Sequence, residues 1–222
     1  IGLSRTKIKS RKNFNHVVHD FKKNNSSKLA SKLFQLIRKL KKKPKKINII
    51  INAGINIKDI DKNSINFSNS LEMLRVNFLN QIEFLLFLIN FIKKYSIKIF
   101  FISSYNVLAS GTKASFGYAL SKALLFSTFR IFNRYKLQNS IIVKCAIFGG
   151  VNTKMYSKSL KFIKEKNPVL KLVRKMPLSK HYVSEQIINF LKNDKKMIFL
   201  PKKFKIYGIY KLYLELFGLF YK

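Results

Sequence analysis

The strongest constraint on the fold of this chain is a repeated alternation of short β-branched runs and longer segments with helical spacing. The run 47–51 is continuous and β-branched, as is typical of a strand buried on both faces. Apolar residues recur at helical spacing before it, over 26–40, and after it, over 71–92. The alternation continues along the chain, with strands predicted at 97–102, 140–147 and 197–200 and helices at 114–137 and 183–191. Strands that alternate with helices predict parallel strands joined by right-handed crossovers, hence a doubly wound α/β sheet.

The length and composition of the chain predict one domain. Its 222 residues, 47% of them apolar, can bury one substantial core. Two short apolar runs open the chain, at 1–5 and 14–20, and Ser26 and Ser27 are candidate N-caps of the first helix. Ligands of doubly wound sheets bind at the carboxyl ends of the strands, so we expect function in the strand-to-helix turns.

The charge of the chain is strongly positive, with 45 Lys and Arg against 9 Asp and Glu and a net charge of +36. Such a field attracts nucleic acid or anionic lipid, which makes a basic nucleic-acid or membrane-surface binder one alternative. Only 7 of the 45 are Arg, the residue that forks onto phosphates and guanines. Lys is spread over the chain, with one dense run at 39–46. We therefore interpret most of the charge as a solvated surface and expect no specific nucleic acid.

Several other features limit the compartment and the chemistry. No signal-peptide pattern opens the chain, and the apolar stretch 84–92 is far shorter than the ~20 residues that span a bilayer. Cys145 is the single cysteine, within an apolar run, so it is expected to be a buried core residue. The three histidines have no metal-ligand spacing, and no metal is expected. A cytoplasmic location follows as the expectation.

Two strand-to-helix turns and the helix after the second carry residues that suit redox chemistry at a carbonyl or alcohol. Asn52-Ala53-Gly54 follows one predicted strand, and Ser103-Ser104 follows the next. Tyr118 and Lys122 are four apart, so on a helix they lie on one face. A nearby ammonium lowers the pKa of a phenol, which can then exchange a proton with a substrate oxygen near neutral pH. A serine hydroxyl can bind the same oxygen as charge develops on it.

Tyr-x-x-x-Lys alone is not specific, since Tyr207 and Lys211 repeat it. The ordered set of strand, Asn-Ala-Gly, helix, strand, Ser-Ser and Tyr-x-x-Ser-Lys resembles the short-chain dehydrogenase/reductase family over about 1–200. The resemblance implies a Rossmann-like fold and an NAD(P)-dependent oxidoreductase acting on a small carbonyl or secondary alcohol. The roles that it implies for the catalytic residues are proton transfer by Tyr118, tuning of Tyr118 and binding of the nicotinamide ribose by Lys122, orientation of the carbonyl by Ser104, and a water-borne proton relay through Asn77.

The resemblance also implies a set of cofactor-binding residues along the carboxyl ends of the strands. An acid normally selects NAD at the end of the second strand of the family, and here Ser4 and Arg5 stand in that place. An arginine there accepts a 2′-phosphate, so NADP(H) is predicted over NAD(H). The remaining candidates are Asp20 at the adenine, Asn52, Ala53 and Gly54 beside the cofactor, and Gly149, Val151 and Thr153 over the nicotinamide.

The chain departs from the family pattern in ways that bear on activity. None of its eight glycines forms Gly-x-x-x-Gly-x-Gly, so the first β-α unit and its phosphate loop are expected to be lacking. An inactive relic of the fold, acting as an interaction protein, is therefore an alternative to an enzyme. Ser104 precedes Tyr118 by fourteen residues, one more than usual in the family, which leaves Ser103 as a substitute. Phe148 stands where the family usually has proline.

The domain is assigned to 1–203, and 204–222 is predicted to be a separate C-terminal tail helix. The tail combines basic and aromatic residues at helical spacing. Such a helix suits a peripheral contact with the inner membrane face, a lid over the substrate cleft or a subunit contact. The resemblance implies a homodimer or homotetramer formed through the long helices 71–92 and 114–137.

Overall fold

The computed structural model describes residues 1–7, 9, 15–23, 25–61, 64–107, 115–135, 140–161 and 176–202. The predicted tail helix at 204–222 lies outside the described residues. Strands and helices alternate as expected. The strands are β1 (Gly2–Ser4), β2 (His16–Val18), β3 (Lys46–Ile51), β4 (Ile60–Asp61), β5 (Ser64–Ile65), β6 (Ser96–Ser104), β7 (Ile141–Phe148) and β8 (Met197–Leu200). The helices are α1 (Ser26–Arg38), α2 (Phe67–Leu74), α3 (Asn80–Ile92), α4 (Phe116–Tyr135), α5 (Lys154–Leu160) and α6 (Lys180–Lys192), with a π-helical segment at Arg75–Leu79 and a 3₁₀ turn at Tyr105–Val107.

The main sheet has four parallel strands in the order β3-β6-β7-β8. A second parallel pair, β1 and β2, aligns Gly2 with His16 and Ser4 with Val18. The short β4 and β5 form an antiparallel pair in the loop after β3. Because all the long strands run the same way, their carboxyl ends lie along one edge of the fold, where residues distant in sequence can meet.

The two parallel sheets share a core but no ladder. Val17 of β2 and Ile49 of β3 belong to the same buried cluster, and Leu3 of β1 packs against it. Within the described residues, however, no strand pairs with both β1 and β3.

Helices pack on both faces of the main sheet, so the predicted doubly wound architecture is confirmed. One face packs against α1, α3 and α4, with Phe84, Leu125 and Phe129 in the core. The opposite face packs against α6, where Phe190 contacts Phe100 edge to face at 5.1 Å. Burying one such side chain stabilises the fold by roughly 1.5–3 kcal/mol, so these faces hold the helices in place.

The prediction that β3 is buried on both faces is wrong. Ile49 and Ile51 are buried, whereas Asn48 is exposed and Ile50 is 45% exposed. Successive side chains of a strand point to opposite faces. The cluster under α6 takes its strand residues from β6, β7 and β8, so the second face of β3 has no helix over it in the described part of the chain.

Two lysines lie inside the α6 face. Lys98 is 7% exposed and its Nζ donates to the carbonyl oxygen of Leu191 at 3.0 Å. Lys144 is 1% exposed and donates to the carbonyl oxygens of Phe190, at 2.7 Å, and Asn193. The last carbonyls of a helix have no partner within it and carry a partial negative charge, so the two ammonium groups satisfy the end of α6. Burial lowers the pKa of Lys144, and the neighbouring Lys98 lowers it further.

The segment from α2 to α3 is one continuous helical run, Phe67–Ile92, of 26 residues. By length and composition this helix could cross a membrane, and 44% of its most apolar 18-residue stretch is buried inside the fold. Core helices pass the same test. Buried Asn77 and Gln81 in its middle bond to the loop after β3, which suits a core helix.

Candidate active site

Ser104, Tyr118 and Lys122 meet at the carboxyl end of β6. Ser104 is the last residue of that strand, and Tyr118 lies in the first turn of α4. A hydrogen bond joins their side chains, and it lowers the pKa of Tyr118. Ser103 instead faces the helix and donates to the carbonyl oxygen of Lys122 at 2.9 Å. Because neighbouring strand residues point to opposite faces, only Ser104 has its hydroxyl at the phenol.

Lys122 lies one turn beyond Tyr118, with its Nζ 5.8 Å from the centre of the Tyr118 ring. It is 4% exposed and donates to the carbonyl oxygen of Ile102 at 3.1 Å. An ammonium carries three N–H donors. Among the described residues Ile102 supplies the acceptor, so two donors of Lys122 are available to a ligand.

The pKa values of this pair differ from the expectation that Lys122 lowers that of Tyr118. Burial raises the pKa of Tyr118 above its ordinary value, against the opposing effect of the Ser104 hydrogen bond. Burial also lowers the pKa of Lys122 to about 8, and only a thiolate at the nearby Cys145, whose own pKa burial raises to about 12, would act in the other direction. Desolvation disfavours the charged form of each group, and the sequence does not show how deeply either group is buried. Tyr118 is therefore protonated at neutral pH.

Asn77 joins the helix α2–α3 to the loop after β3. Its Oδ1 accepts from the Ile55 amide at 2.7 Å and its Nδ2 donates to the Ile55 carbonyl at 2.9 Å. Nδ2 also donates to Ser121 Oγ at 3.1 Å, and Ser121 donates to the Tyr118 carbonyl at 2.8 Å. Asn77 occupies the π-helical segment, a local widening of the kind frequent at functional sites.

Gly54 lies between Asn77 and Lys122. A Cβ at this position would come within 3.4 Å of Asn77 Oδ1 and 3.9 Å of Lys122 Nζ. Both distances are ordinary van der Waals contacts, so Gly54 lies directly beside the Asn77 amide and the Lys122 ammonium. The predicted Asn52-Ala53-Gly54 turn thus lies beside the helix that carries Tyr118 and Lys122.

Two residues that fix this loop were not identified from the sequence. Gln81, one helical turn beyond Asn77, donates to the carbonyl oxygens of Ala53 at 2.9 Å and Val76 at 2.7 Å. Asp59 accepts from backbone amides at the start of α4. Gln81 could have been identified because it lies four residues from Asn77, on the same face of the predicted helix. For Asp59 the signal was weaker, namely an acid in a chain that has only nine.

The segment after β7 is anchored on both sides. Gly149 donates to the Leu200 carbonyl at 2.8 Å, and Val151 pairs with Leu178. Thr153 caps α5 by accepting from the Tyr156 amide at 3.1 Å. Phe148 is the last residue of β7 and is paired in register with Ser104 of β6 and Leu200 of β8, so a residue with a backbone amide stands here where proline has none. This anchoring holds the segment at the same edge as Ser104.

Gly150 is covered by an aromatic ring. A Cβ there would come within 2.6 Å of the ring and hydroxyl atoms of Tyr156, so no larger residue fits without moving that ring. Tyr156 was not among the predicted site residues.

The adenosine-side candidates lie apart, at the ends of β1 and β2. Ser4 donates to the Thr6 carbonyl and its Oγ lies 2.8 Å from His16 Nε2. Arg5 is exposed. Asp20 is half-buried, and its Oδ1 accepts from the Lys22 amide at 3.0 Å. Because β1 and β2 are parallel and paired, Ser4 and Asp20 lie at the same end of this two-stranded sheet. No contact of either residue with Tyr118 or Lys122 is found among the described residues.

A cavity of about 440 Å³ lies elsewhere, between β2 and the second half of α1, lined by residues that include His16, Val17, Leu36 and Lys39. It contains none of the predicted catalytic residues. Among the described residues no group of three His, Cys, Asp or Glu side chains could hold a metal ion.

Solved structures share this fold, although no family model and no curated protein matches the sequence. A short-chain dehydrogenase from Streptomyces avermitilis matches with a TM-score of 0.68 and 14% identity, over 91% of this chain and 77% of its own. A short-chain dehydrogenase family protein from Francisella tularensis matches at 0.63 and 20% identity, over 89% and 84%. A short-chain dehydrogenase from Burkholderia cenocepacia, solved in complex with NADP, matches at 0.63 and 12% identity, over 83% and 68%. This chain has the Rossmann-like α/β fold of the short-chain dehydrogenases.

Proposed function

We propose that this protein is an NAD(P)-dependent oxidoreductase of the short-chain dehydrogenase/reductase family, acting on a small carbonyl or secondary alcohol. The observation that carries the proposal is the hydrogen bond between Ser104 and Tyr118 beside the buried ammonium of Lys122. The three groups come from two elements, β6 and α4, and meet at the edge of the sheet where this fold binds ligands.

The residues present fit the nicotinamide half of the cofactor. Gly54 lies beside Asn77 and Lys122, and two donors of Lys122 suit the hydroxyls of a ribose. Val151 and Thr153 lie on the anchored segment after β7. The pyrophosphate half has weaker support, because the sequence contains no Gly-x-x-x-Gly-x-Gly.

The chain's own residues handle the substrate oxygen and its proton. A bound nicotinamide supplies or accepts the hydride. Tyr118, protonated at neutral pH, donates its proton to the carbonyl oxygen as that oxygen gains electrons. Ser104 donates to the same oxygen and disperses its developing charge. Reduction is therefore the favoured direction at neutral pH, and alcohol oxidation, which needs the phenolate, gains as pH rises.

NADP(H) is proposed over NAD(H) because Arg5, rather than an acid, follows the end of β1. Arg5 is exposed, and a guanidinium can pair with a 2′-phosphate in a bidentate manner. Two structures with this fold, including an alcohol dehydrogenase from Thermococcus sibiricus complexed with 5-hydroxy-NADP, carry NADP or a derivative.

The proposed assembly is a homodimer or homotetramer formed through α3 and α4, in the cytoplasm. Both helices carry exposed apolar side chains, among them Leu86 at 46% and Ile131 at 52%. Peripheral membrane contact through 204–222 is the second part of this proposal. Co-sedimentation with anionic vesicles, with and without those residues, tests it, and equal binding of the two forms contradicts it.

The test of function has two stages. Fluorescence titration with NADPH and NADH measures cofactor binding, and turnover is then followed against a panel of ketones and secondary alcohols. Tyr118→Phe should lower turnover by about 10²- to 10⁴-fold and leave binding unchanged. Tyr135→Phe, at the exposed far end of α4, is the matched control and should leave both unchanged.

Absence of binding to either nucleotide would contradict the enzyme and favour a relic that retains the fold for interactions. The missing glycine-rich loop is the observation that favours that second candidate. Binding without turnover, by contrast, would leave the cofactor assignment standing and direct attention to the substrate panel.

A further inference from the structure

The loop after β3 delivers a buried carboxylate to the start of the helix that carries Tyr118. Asp59 is 1% exposed. Its Oδ1 accepts from the Phe116 amide at 2.9 Å, and its Oδ2 accepts from the Gly117 amide at 2.6 Å and from the Ser70 hydroxyl at 2.7 Å. The first amides of a helix lack partners within it and carry partial positive charge, so a carboxylate is favoured there.

The bonded amides immediately precede Tyr118, so they determine where the first turn of α4 lies. That turn is also pressed against α2, since a Cβ at Gly117 would come within 2.6 Å of the Ser70 Cα and 2.7 Å of its carbonyl oxygen. Ser70 thus contacts both Asp59 and the backbone beside Tyr118. The position of the turn is fixed by one carboxylate and by one close helix contact.

The same loop is held at its other end. Ile55 is bonded twice to Asn77, and Gly54 lies against both Asn77 and Lys122. The loop therefore runs from Gly54, beside the Lys122 ammonium, to Asp59, which is bonded to the backbone just before Tyr118. A displacement at Asp59 would change the distance between Tyr118 and Ser104, which sits on a different element, β6.

We propose that Asp59 is a positioning residue, which holds the first turn of α4 so that the Tyr118 hydroxyl meets Ser104. Asp59 contacts no reacting group; its effect passes through the backbone of residues 116 and 117. The catalytic meaning of this role rests on the proposed oxidoreductase function, whereas the geometric role does not.

The test measures the contact between Ser104 and Tyr118 without turnover. In protein labelled with ¹³C at tyrosine Cζ, the Tyr118 resonance is identified by its loss in Tyr118→Phe. Ser104→Ala should shift that resonance at pH 7, because the phenol loses a hydrogen bond. In an Asp59→Asn background the same Ser104→Ala change should shift it by less than half as much, because an amide has one acceptor oxygen for three donors.

The matched control is Glu185→Gln, which also replaces a carboxylate by an amide, on the exposed face of α6. There the effect of Ser104→Ala should be retained in full. A full effect in the Asp59→Asn background would overturn the proposal. If Asp59→Asn does not fold, Ser70→Ala removes one donor to Asp59 and retains its charge. The Ser104 effect should then be reduced, and an unreduced effect would overturn the proposal equally.

Kinetics supply the catalytic half of the test. If the wild-type protein turns over, Asp59→Asn should lower kcat by roughly ten- to a hundredfold, as expected for a misplaced catalytic group, with the KM for NADPH unchanged. A raised KM with unchanged kcat would contradict a positioning role. If the protein binds neither nucleotide and turns over no substrate, the proposed function fails, while the resonance experiment still decides the role of Asp59.

Discussion

The four-stranded sheet and the two-stranded sheet of this protein hold their candidate residues in different ways. β6 and β7 are paired over eight registered positions, and β1 and β2 over three. The loop after β3 is further bonded to Asn77, Gln81 and the start of α4. At the ends of β1 and β2, Ser4 is bonded to its neighbours Thr6 and His16, and Arg5 is exposed.

The two regions therefore separate the residues proposed for proton transfer from those proposed for nucleotide selection. The groups around Tyr118 are fixed by hydrogen bonds within the chain, so their geometry does not depend on a bound ligand. The groups around Ser4 and Arg5 are tied to the rest of the fold through packing of Leu3 and Val17 in the shared core. Changes in the two regions should therefore have separable effects.

The largest expected effect is that of Tyr118→Phe on turnover. Loss of a general acid lowers rate by about 10²- to 10⁴-fold, and the fold should remain intact because the ring is retained. In the wild type, carbonyl reduction should be sustained at neutral pH and alcohol oxidation should increase above it, since burial raises the pKa of Tyr118. Initial rates in both directions between pH 6 and 10 check this. Wild-type rates in Tyr118→Phe would remove the tyrosine from the mechanism.

Asn77→Leu should have the next largest effect, on stability. The substitution leaves the partly buried amide and carbonyl of Ile55 without the Asn77 side chain as a partner, at a cost of roughly 2–4 kcal/mol. Urea denaturation of the wild type and the variant measures it. Ser4→Ala, in the other region, should cost no more than about 1 kcal/mol, since Ser4 lies at the edge of a short pair. Equal losses of unfolding free energy in Asn77→Leu and Ser4→Ala would contradict the difference between the two regions.

Lys122→Met should stabilise the protein at pH 7. Lowering of its pKa from 10.5 to about 8 corresponds to roughly 3 kcal/mol as an upper limit, because the variant also loses the bond to Ile102. The unfolded chain binds this proton more tightly, so the free energy of unfolding of the wild type rises as pH increases from 8 towards 10.5. The gain from Lys122→Met should shrink over the same window. A stability difference that is constant with pH would show that Lys122 is not buried as a cation.

Arg5→Ala should have the smallest effect, and only on nucleotide choice. Loss of one exposed pairing to a 2′-phosphate should weaken NADPH binding by about tenfold, which corresponds to roughly 1.4 kcal/mol, and leave NADH binding unchanged. Parallel fluorescence titrations with the two nucleotides measure this. Lys7→Ala, an equally exposed cation two residues away, is the control. Equal loss for both nucleotides would exclude Arg5 from 2′-phosphate recognition.

The regular part of the structure was predictable because it depends on local pattern. The alternation of strands and helices predicted the parallel sheet, and the four-residue spacing placed Tyr118 and Lys122 on one helix face. The strand at 197–200 has the predicted bounds, and β6 extends two residues further, through Ser103 and Ser104. That extension decides which serine reaches Tyr118, since side chains alternate along a strand.

What was missed depends on contacts between distant parts of the chain. Asp59 meets Gly117 across 58 residues, and no local pattern distinguishes a carboxylate that caps a helix from one in solvent. The direction of the Tyr118 pKa was wrong because burial, not proximity to Lys122, dominates it. The exposure of Ile50 was missed because a run of isoleucines predicts a strand but not what covers it. The roles of the site residues and the tail at 204–222 remain predictions.

The lysines inside the fold have a consequence for chemical labelling. Among the residues that the structure describes, Lys98, Lys122 and Lys144 are buried, at 7%, 4% and 1% exposure. An amine-acylating reagent applied to the native protein should therefore modify the exposed lysines and spare these three. Denaturation before labelling should bring all three into the modified set. Mass spectrometry of peptides from partly unfolded samples would then show when each of these lysines becomes accessible. Acylation of Lys98 and Lys144 would report release of α6, and acylation of Lys122 would report opening of the site around Tyr118.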